Sequence, residues 1–167
     1  IFDTHQHADH VSAASTLSEK TGAIIFLSAY EGYEVQDNNQ KSVNLMHDAD
    51  TYKIGENSIK AMHTPGHTAG SFSFLIGNKF LITGDTLFVN GVGRPDLNRK
   101  SEEYAQKLYQ TYQQKLFNLP DRTVILPSHY SLSFKHAKPI YDTIESIKQK
   151  LNSITQSEKS FLDYVTS

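Results

Sequence analysis

The chain opens Ile1-Phe2-Asp3-Thr4-His5-Gln6-His7-Ala8-Asp9-His10, and the run from His5 to His10 constrains it more than any other feature. Three histidines and one aspartate fall within six positions, in the order H-x-H-x-D-H. Imidazole nitrogen and carboxylate oxygen are the usual ligands of catalytic zinc and non-haem iron. So many ligand-type side chains in one short segment, just after a strand-like start, are hard to explain as core or surface filler. In an extended or looped backbone His5 and His7 point to one side, and Asp9 and His10 can turn toward a neighbouring position. The spacing suits a site for one metal or two.

The rest of the composition narrows the setting. A chain of 167 residues is read as one domain with room for a real core. Its 16 Lys+Arg against 18 Asp+Glu give a net charge of −2. No broad basic field is left for a nucleic-acid backbone or an anionic membrane. Cysteine is absent, which excludes disulfides, thiolate ligands and a cysteine nucleophile and fits a reducing, cytoplasmic location. The longest apolar stretch, Ala23 to Leu27, is far short of a membrane span. No basic n-region opens the chain, so no targeting peptide is read; Ile1-Phe2-Asp3 reads as the tail of a strand cut upstream.

Periodicity and turn residues place the elements. Val11 to Thr21 is expected to be a helix ended by Gly22. Ile24-Ile25-Phe26-Leu27 reads as a buried strand, and Tyr30 to Gln40 as polar loop or irregular helix. Asp50 to Ile54 and Ser58 to His63 read as short strands, and Ser71 to Ile76, a Gly77-Asn78 turn and Lys79 to Thr83 as a hairpin. A Gly/Pro/Asn-rich loop spans Val89 to Arg99. A helix is expected over Ser101 to Phe117, with Ser101 as N-cap and Glu102 and Glu103 in its first turn. Thr123 to Leu126 reads as a strand stopping at Pro127, and Ala137 to Leu151 as a helix carrying Ile140, Ile144, Ile147 and Leu151 at helical spacing. Thr155 with Glu158 resembles a capping box opening a last helix through Val165. Mixed strands and helices make the class α/β or α+β.

Four further segments set ligand-type residues where strands meet loops: His63-Thr64-Pro65-Gly66-His67, Thr83-Gly84-Asp85-Thr86, Leu126-Pro127-Ser128-His129 and Gly91-Val92-Gly93-Arg94-Pro95-Asp96-Leu97. Alone, His67 or His129 is an ordinary solvated histidine, Asp85 a turn residue and Arg94 part of a structural turn. Together with the opening segment they describe loops at one edge of a rigid sheet, a common way to build an active site. His47 and His136 lie in polar stretches and are read as surface residues. His63 is read as a strand residue near the site. Tyr30, Tyr33 and Tyr130 are read either as pocket borders or as core and rim packing.

The motifs THQHADH, TPGHTAG and TGDTLF, with the histidine of LPSHYS, resemble the metallo-β-lactamase superfamily and run in family order from Thr4 to His129. The resemblance implies an αββα sandwich with metals at one edge of two sheets. It also implies strands preceding the first motif, so residues 1–167 are expected to form a single, N-terminally truncated domain of this kind. The family pattern puts His5, His7 and His67 around one metal, Asp9, His10 and His129 around a second, and Asp85 between them.

TPGHTAGS followed by GDTLF and GVGRPDL is most similar to persulfide dioxygenases, including bacterial ones fused to rhodanese domains. That branch implies one Fe(II) held by His5, His67 and Asp85, a two-histidine, one-carboxylate triad with open positions. His7, Asp9, His10 and His129 would then orient ligands and water. Asp9 and Arg94 are the candidate catalytic residues, Arg94 by shaping the pocket or pairing with an acidic substrate group. The implied reaction converts a low-molecular-weight thiol persulfide to sulfite. The alternative is a hydrolase of the glyoxalase II type that cleaves a thioester with two Zn(II) ions and the same side chains. A third reading is a non-catalytic module partnering a fused or associated rhodanese-type sulfurtransferase. One departure is the Ser128-His129-Tyr130-Ser131 run, where His-Asp or His-Glu is more usual.

Overall fold

The structure is a computed structural model and describes residues 1–6, 11–32, 43–95, 101–130 and 139–167. Helix α1 (Ala14–Thr21) leads into β1 (Ile25–Ser28), followed by β2 (Val43–Met46), β3 (Thr51–Ile54), β4 (Asn57–His63), β5 (Phe72–Ile76) and β6 (Phe80–Gly84). A small pair, β7 (Leu87–Phe88) and β8 (Gly91–Val92), precedes α2 (Ser101–Thr111), a π-helical turn (Tyr112–Leu116), β9 (Val124–Pro127), β10 (Asp142–Thr143), α3 (Ile144–Thr155) and α4 (Glu158–Thr166).

The Ser/Phe alternation before Gly77 produces the centre of the larger sheet. Strand β5 pairs antiparallel with β4 and β6, in a sheet of order β10-β9-β6-β5-β4-β3. Gly77 (φ 55) and Asn78 (φ 54) close the β5–β6 hairpin, left-handed conformations that glycine and asparagine tolerate best. Successive residues of β5 face opposite sides, and each side is a core. Phe72 and Phe74 pack with Met46, Ile59 and Ala61 toward the β1–β2 pair. There Phe2 stacks on Phe26 with centroids 4.7 Å apart and meets Phe74 edge-on at 5.4 Å. Leu75 faces the other way, with Leu81 and Ile125, against Leu108, Tyr112, Leu116, Ile144, Ile147, Leu151 and Phe161. Each such fully buried side chain contributes roughly 1.5–3 kcal/mol.

Phe26 of β1 points into the inter-sheet core, while Ile25 and Leu27 line a cleft with Ala14 and Ser15 of α1. The layers therefore run α1, small parallel sheet, large sheet, α2 to α4. This is the αββα order expected. No helix among the described residues is long and apolar enough to cross a membrane.

Several boundaries differ from those read off the sequence. Helix α1 begins at Ala14 rather than Val11, yet ends as expected on Gly22 (φ 70), whose N–H donates to Ser18 O. The helix expected from Ala137 starts at Ile144; Ala137 lies outside the described residues. Asp142 and Thr143 instead pair with Ile125 and Val124. Thr143, extended at φ −102 and ψ 155, caps α3 by accepting the Ser146 N–H at 3.3 Å. Thr155 is not a cap: it closes α3, and its hydroxyl donates to Leu151 O at 2.9 Å. Ser157 caps α4 by accepting the Ser160 N–H at 3.1 Å. Ser101 is the first helical residue of α2, with Glu102 and Glu103 in the first turn, but regular α-helix stops at Thr111. Strand β2 lies where the sequence marks no strand, and β7 and β8 bound a turn inside what reads as loop.

Candidate metal centre

The larger sheet carries its ligand-bearing turns to one edge. Strand β4 is antiparallel to β5, β5 is antiparallel to β6, and β6 is parallel to β9. The turns after β4, β6 and β9 therefore share an end of the sheet, and they hold His67, Asp85 and His129 respectively. His5 arrives from the start of the chain. Phe2 bridges Phe26 in parallel, and the Phe72 N–H donates to Thr4 O at 2.7 Å, which pins the opening segment beside β5.

Two glycines let these pieces approach. Gly66, at φ 138, lies where a Cβ would fall 2.4 Å from Leu108 Cβ. Only glycine relieves both the conformation and the contact. At Gly93 a Cβ would fall 2.1 Å from Asp85 O, so the glycine-rich loop lies directly on the turn that presents Asp85.

The side chains converge on one carboxylate oxygen. Asp85 Oδ2 lies 3.7 Å from His5 Nε2, 3.6 Å from His67 Nε2 and 3.2 Å from His129 Nε2. His5, His67 and Asp85 are buried, and one ligand atom from each lies within 4.8 Å of the others. The two imidazoles meet edge to face at 81°, with centroids 4.8 Å apart. The His129 side chain is 55% exposed and stands edge-on to Phe88 at 6.4 Å. Its exposure separates it from the buried three.

The ring orientations are set from behind. His67 Nδ1 donates to Arg94 O at 2.8 Å; a carbonyl can only accept, so in the neutral ring the lone pair is on Nε2, the atom facing Asp85. His5 Nδ1 pairs with Thr4 Oγ1 at 3.0 Å. Asp85 Oδ1 is buried with no hydrogen-bond partner among the described residues. A carboxylate oxygen left that way is costly unless a cation satisfies it. Two imidazoles and such a carboxylate fit zinc or non-haem iron.

Other expected site residues fall differently. His7, Asp9 and His10 lie outside the described residues, as do Tyr33 and His136. The Arg94 side chain is exposed, and it is the backbone carbonyl of Arg94 that reaches the ligand set. His47 is exposed, as expected. His63 ends β4 near the site: its Nε2 donates to Ala69 O at 2.9 Å and its ring stacks on Tyr30 at 4.0 Å. Burial pushes the His63 pKa below its ordinary value, against the opposing Ala69 hydrogen bond. Tyr30 thus packs on the end of β4, just before the turn that carries His67. Glu31, not singled out from the sequence, accepts a short hydrogen bond from Thr68 Oγ1, next to His67. Nothing in its polar surroundings marks it; only the fold brings it there.

Comparison with known proteins bears on the fold that carries this site. The sequence profile described as the metallo-beta-lactamase superfamily matches residues 1–129. A hydroxyacylglutathione hydrolase of Rhizobium etli is 36% identical over 135 residues, which cover 80% of this chain and 49% of that protein. The chain thus spans about half the length of such curated relatives. Among solved structures, a metallo-beta-lactamase from Staphylococcus aureus superposes with a TM-score of 0.86 at 31% identity, covering 99% of this chain and 52% of that one. ETHE1 from Myxococcus xanthus superposes with a TM-score of 0.78 at 30% identity, covering 99% of this chain and 67% of that one.

Proposed function

This chain belongs to the metallo-beta-lactamase superfamily, and on that premise we propose that it is a non-haem Fe(II) dioxygenase that oxidises a low-molecular-weight thiol persulfide. The observation that carries the reading is the buried group of His5, His67 and Asp85. Two histidines and one carboxylate are the ligand set of mononuclear iron oxygenases, which leave coordination positions open. The GRPDL loop motif and the similarity to ETHE1 support the same branch.

Iron held there would supply redox chemistry and open positions for a persulfide anion and O₂. The net reaction is balanced by water: persulfide, O₂ and water give thiol, sulfite and two protons. The protein's own part is positional. Arg94 O fixes the His67 tautomer, Thr4 steadies the His5 ring, and His129 sets its Nε2 3.2 Å from Asp85 Oδ2 on the exposed side. His7, Asp9 and His10 are assigned to orienting ligands and water, and the Arg94 guanidinium to the pocket mouth. A fused or associated rhodanese domain is the proposed source of the persulfide, in the cytoplasm.

A second reading has its own support. Similarity to hydroxyacylglutathione hydrolase favours a dinuclear zinc thioester hydrolase, in which His129 would be a ligand rather than a neighbour of Asp85. Metal analysis of the anaerobically purified full-length protein separates the two, followed by O₂ uptake with glutathione persulfide and by thioester hydrolysis. One iron and persulfide-dependent uptake are expected. Two zincs with hydrolysis and no uptake would replace the dioxygenase by the hydrolase. Loss of both activities in the metal-loaded protein would leave the non-catalytic module.

A further inference from the structure

The residues after α2 are wound more loosely than the helix before them. From Tyr112 to Leu116 the turn is π-helical, closed by the Phe117 N–H donating to Tyr112 O at 2.9 Å. Such turns are poorer helix and occur frequently at functional sites. This one lies under the metal-binding edge. Thr111 Oγ1 donates to Pro65 O at 2.8 Å, the Tyr112 hydroxyl to Thr86 O at 2.7 Å, and Lys115 Nζ to His63 O at 2.6 Å. All three acceptors are backbone carbonyls: Pro65 and Thr86 lie in the turns that present His67 and Asp85, and His63 is the last residue of β4, just before the His67 turn.

The Thr86 carbonyl joins these contacts to the Arg94 loop. It also accepts the Gly93 N–H at 3.0 Å, so both of its lone pairs are used, by donors from two different segments. The next residue, Arg94, turns its own carbonyl onto His67 Nδ1. Displacing the Thr86 peptide would therefore move Asp85 on one side and, through Gly93 and Arg94, His67 on the other. Tyr112 is fully buried, and a phenylalanine would fill the same apolar space. Burial holds its phenol well above the ordinary tyrosine pKa, which keeps the hydroxyl a donor.

We infer that the junction of α2 with the π-turn is a positioning element of the metal centre, in which Thr111, the last residue of α2, and Tyr112, the first of the π-turn, act as positioning residues that set the spacing of Asp85 and His67. This rests on reading His5, His67 and Asp85 as metal ligands. Neither residue touches the ligand atoms; each acts through the backbone of a ligand-bearing turn.

The test uses Co(II) added to the metal-free, full-length protein, with affinity read by chelator competition and geometry by the d–d absorption bands. Tyr112→Phe and Thr111→Val each remove one hydroxyl with little change of volume. Thr111→Ser restores the hydroxyl, and Ile147→Val perturbs the same core away from the turns. Tyr112→Phe and Thr111→Val should each weaken Co(II) binding about tenfold, the low end for residues behind a ligand shell, and shift the bands. Thr111→Ser should bind as wild type. Ile147→Val should lower the melting temperature without changing affinity or spectrum. Wild-type affinity and bands in both Tyr112→Phe and Thr111→Val would overturn the proposal, as would an equal loss in Ile147→Val. If Tyr112→Phe does not fold, the Thr111 pair decides. Wild-type protein that takes up no Co(II) would instead overturn the reading of the ligands themselves, before any variant is compared.

Discussion

Replacing Gly93 by alanine should damage stability and metal binding together, and the structure sets the scale. The new Cβ would lie 2.1 Å from Asp85 O, 3.0 Å from Thr86 O and 3.2 Å from the Asp85 carbonyl carbon. Real Cβ atoms essentially never come closer than 3.0 Å to another heavy atom, so the gap must open by 0.9 Å. Backbone stands on both sides, so no rotamer can relieve the clash. Forcing atoms into packed structure costs about 1–3 kcal/mol. The same movement strains the 3.0 Å bond from Gly93 N to Thr86 O and the 2.8 Å bond from His67 Nδ1 to Arg94 O. Each lost bond adds about 0.5–1.5 kcal/mol, for a total of about 2–6 kcal/mol. Releasing His67 from its backing carbonyl should weaken metal binding about 10–100-fold. Urea unfolding of the metal-free protein reads the first quantity, and Zn(II) competition with a chelator reads the second. Gly91→Ala is the internal control: its Cβ meets nothing within 4 Å, so a change under about 0.5 kcal/mol is expected. A Gly93→Ala protein as stable as Gly91→Ala, with wild-type affinity, would refute the argument that this loop lies on the Asp85 turn.

Metal at about one hundred times its dissociation constant should stabilise the fold by about 2.7 kcal/mol, raising the melting temperature roughly 5–10 °C. A chelator should reverse the shift in a thermal scan, and His67→Ala should show none. Thr143→Ala and Ser157→Ala each remove a side-chain cap and should cost about 1 kcal/mol in the urea midpoint; two unchanged midpoints would contradict the cap assignments. Acid should destabilise the fold in part through Asp142. Burial pushes its carboxyl up, but hydrogen bonds from Lys150, the Thr143 amide and Ser146 outweigh it and hold the pKa below 3.8. Its contribution is therefore full above 3.8 and drains as pH falls through the lower folded value. Lys150→Met should flatten that loss when stability is followed from neutral pH into acid; an unchanged slope would refute it.

The ligand edge was legible because each motif pairs a strand-like run with a turn, and the strands fix where those turns meet. His67 and Asp85 follow from that pattern, and His129 follows β9 as Pro127 suggests. What escaped depends on features a residue letter does not carry. Strand β2 shows no alternation, since Asn44 and Leu45 are both exposed. The spacing of Ile140, Ile144 and Ile147 runs unbroken across the true start of α3, which is decided by the extended backbone of Thr143. Two hydroxyl residues stand before Glu158, and only their backbone conformations separate helix end from cap. In the sequence Arg94 stands out by its guanidinium, whereas its contact with the ligand set is a carbonyl, a group every residue possesses. The π-turn was hidden because Leu108, Tyr112 and Leu116 keep ordinary helical spacing.

The parallel pairing of β6 with β9 also bears on how the chain reaches this state. Strands β3 to β6 form a meander joined by short local turns, and it alone can bring His67 near Asp85. His5 must come from the start of the chain, and His129 from beyond the crossover that runs from Gly84 to Val124. Closing those long loops carries the larger entropic cost, so the ligand set is expected to be completed late in folding. A metal ion that binds only the completed set would stabilise the native state and not the transition state. Saturating metal should leave the refolding limb of a chevron unchanged and slow the unfolding limb. Loaded and empty chains would form at the same speed and differ in how long they last, so the ion acts on the lifetime of the fold rather than on its formation.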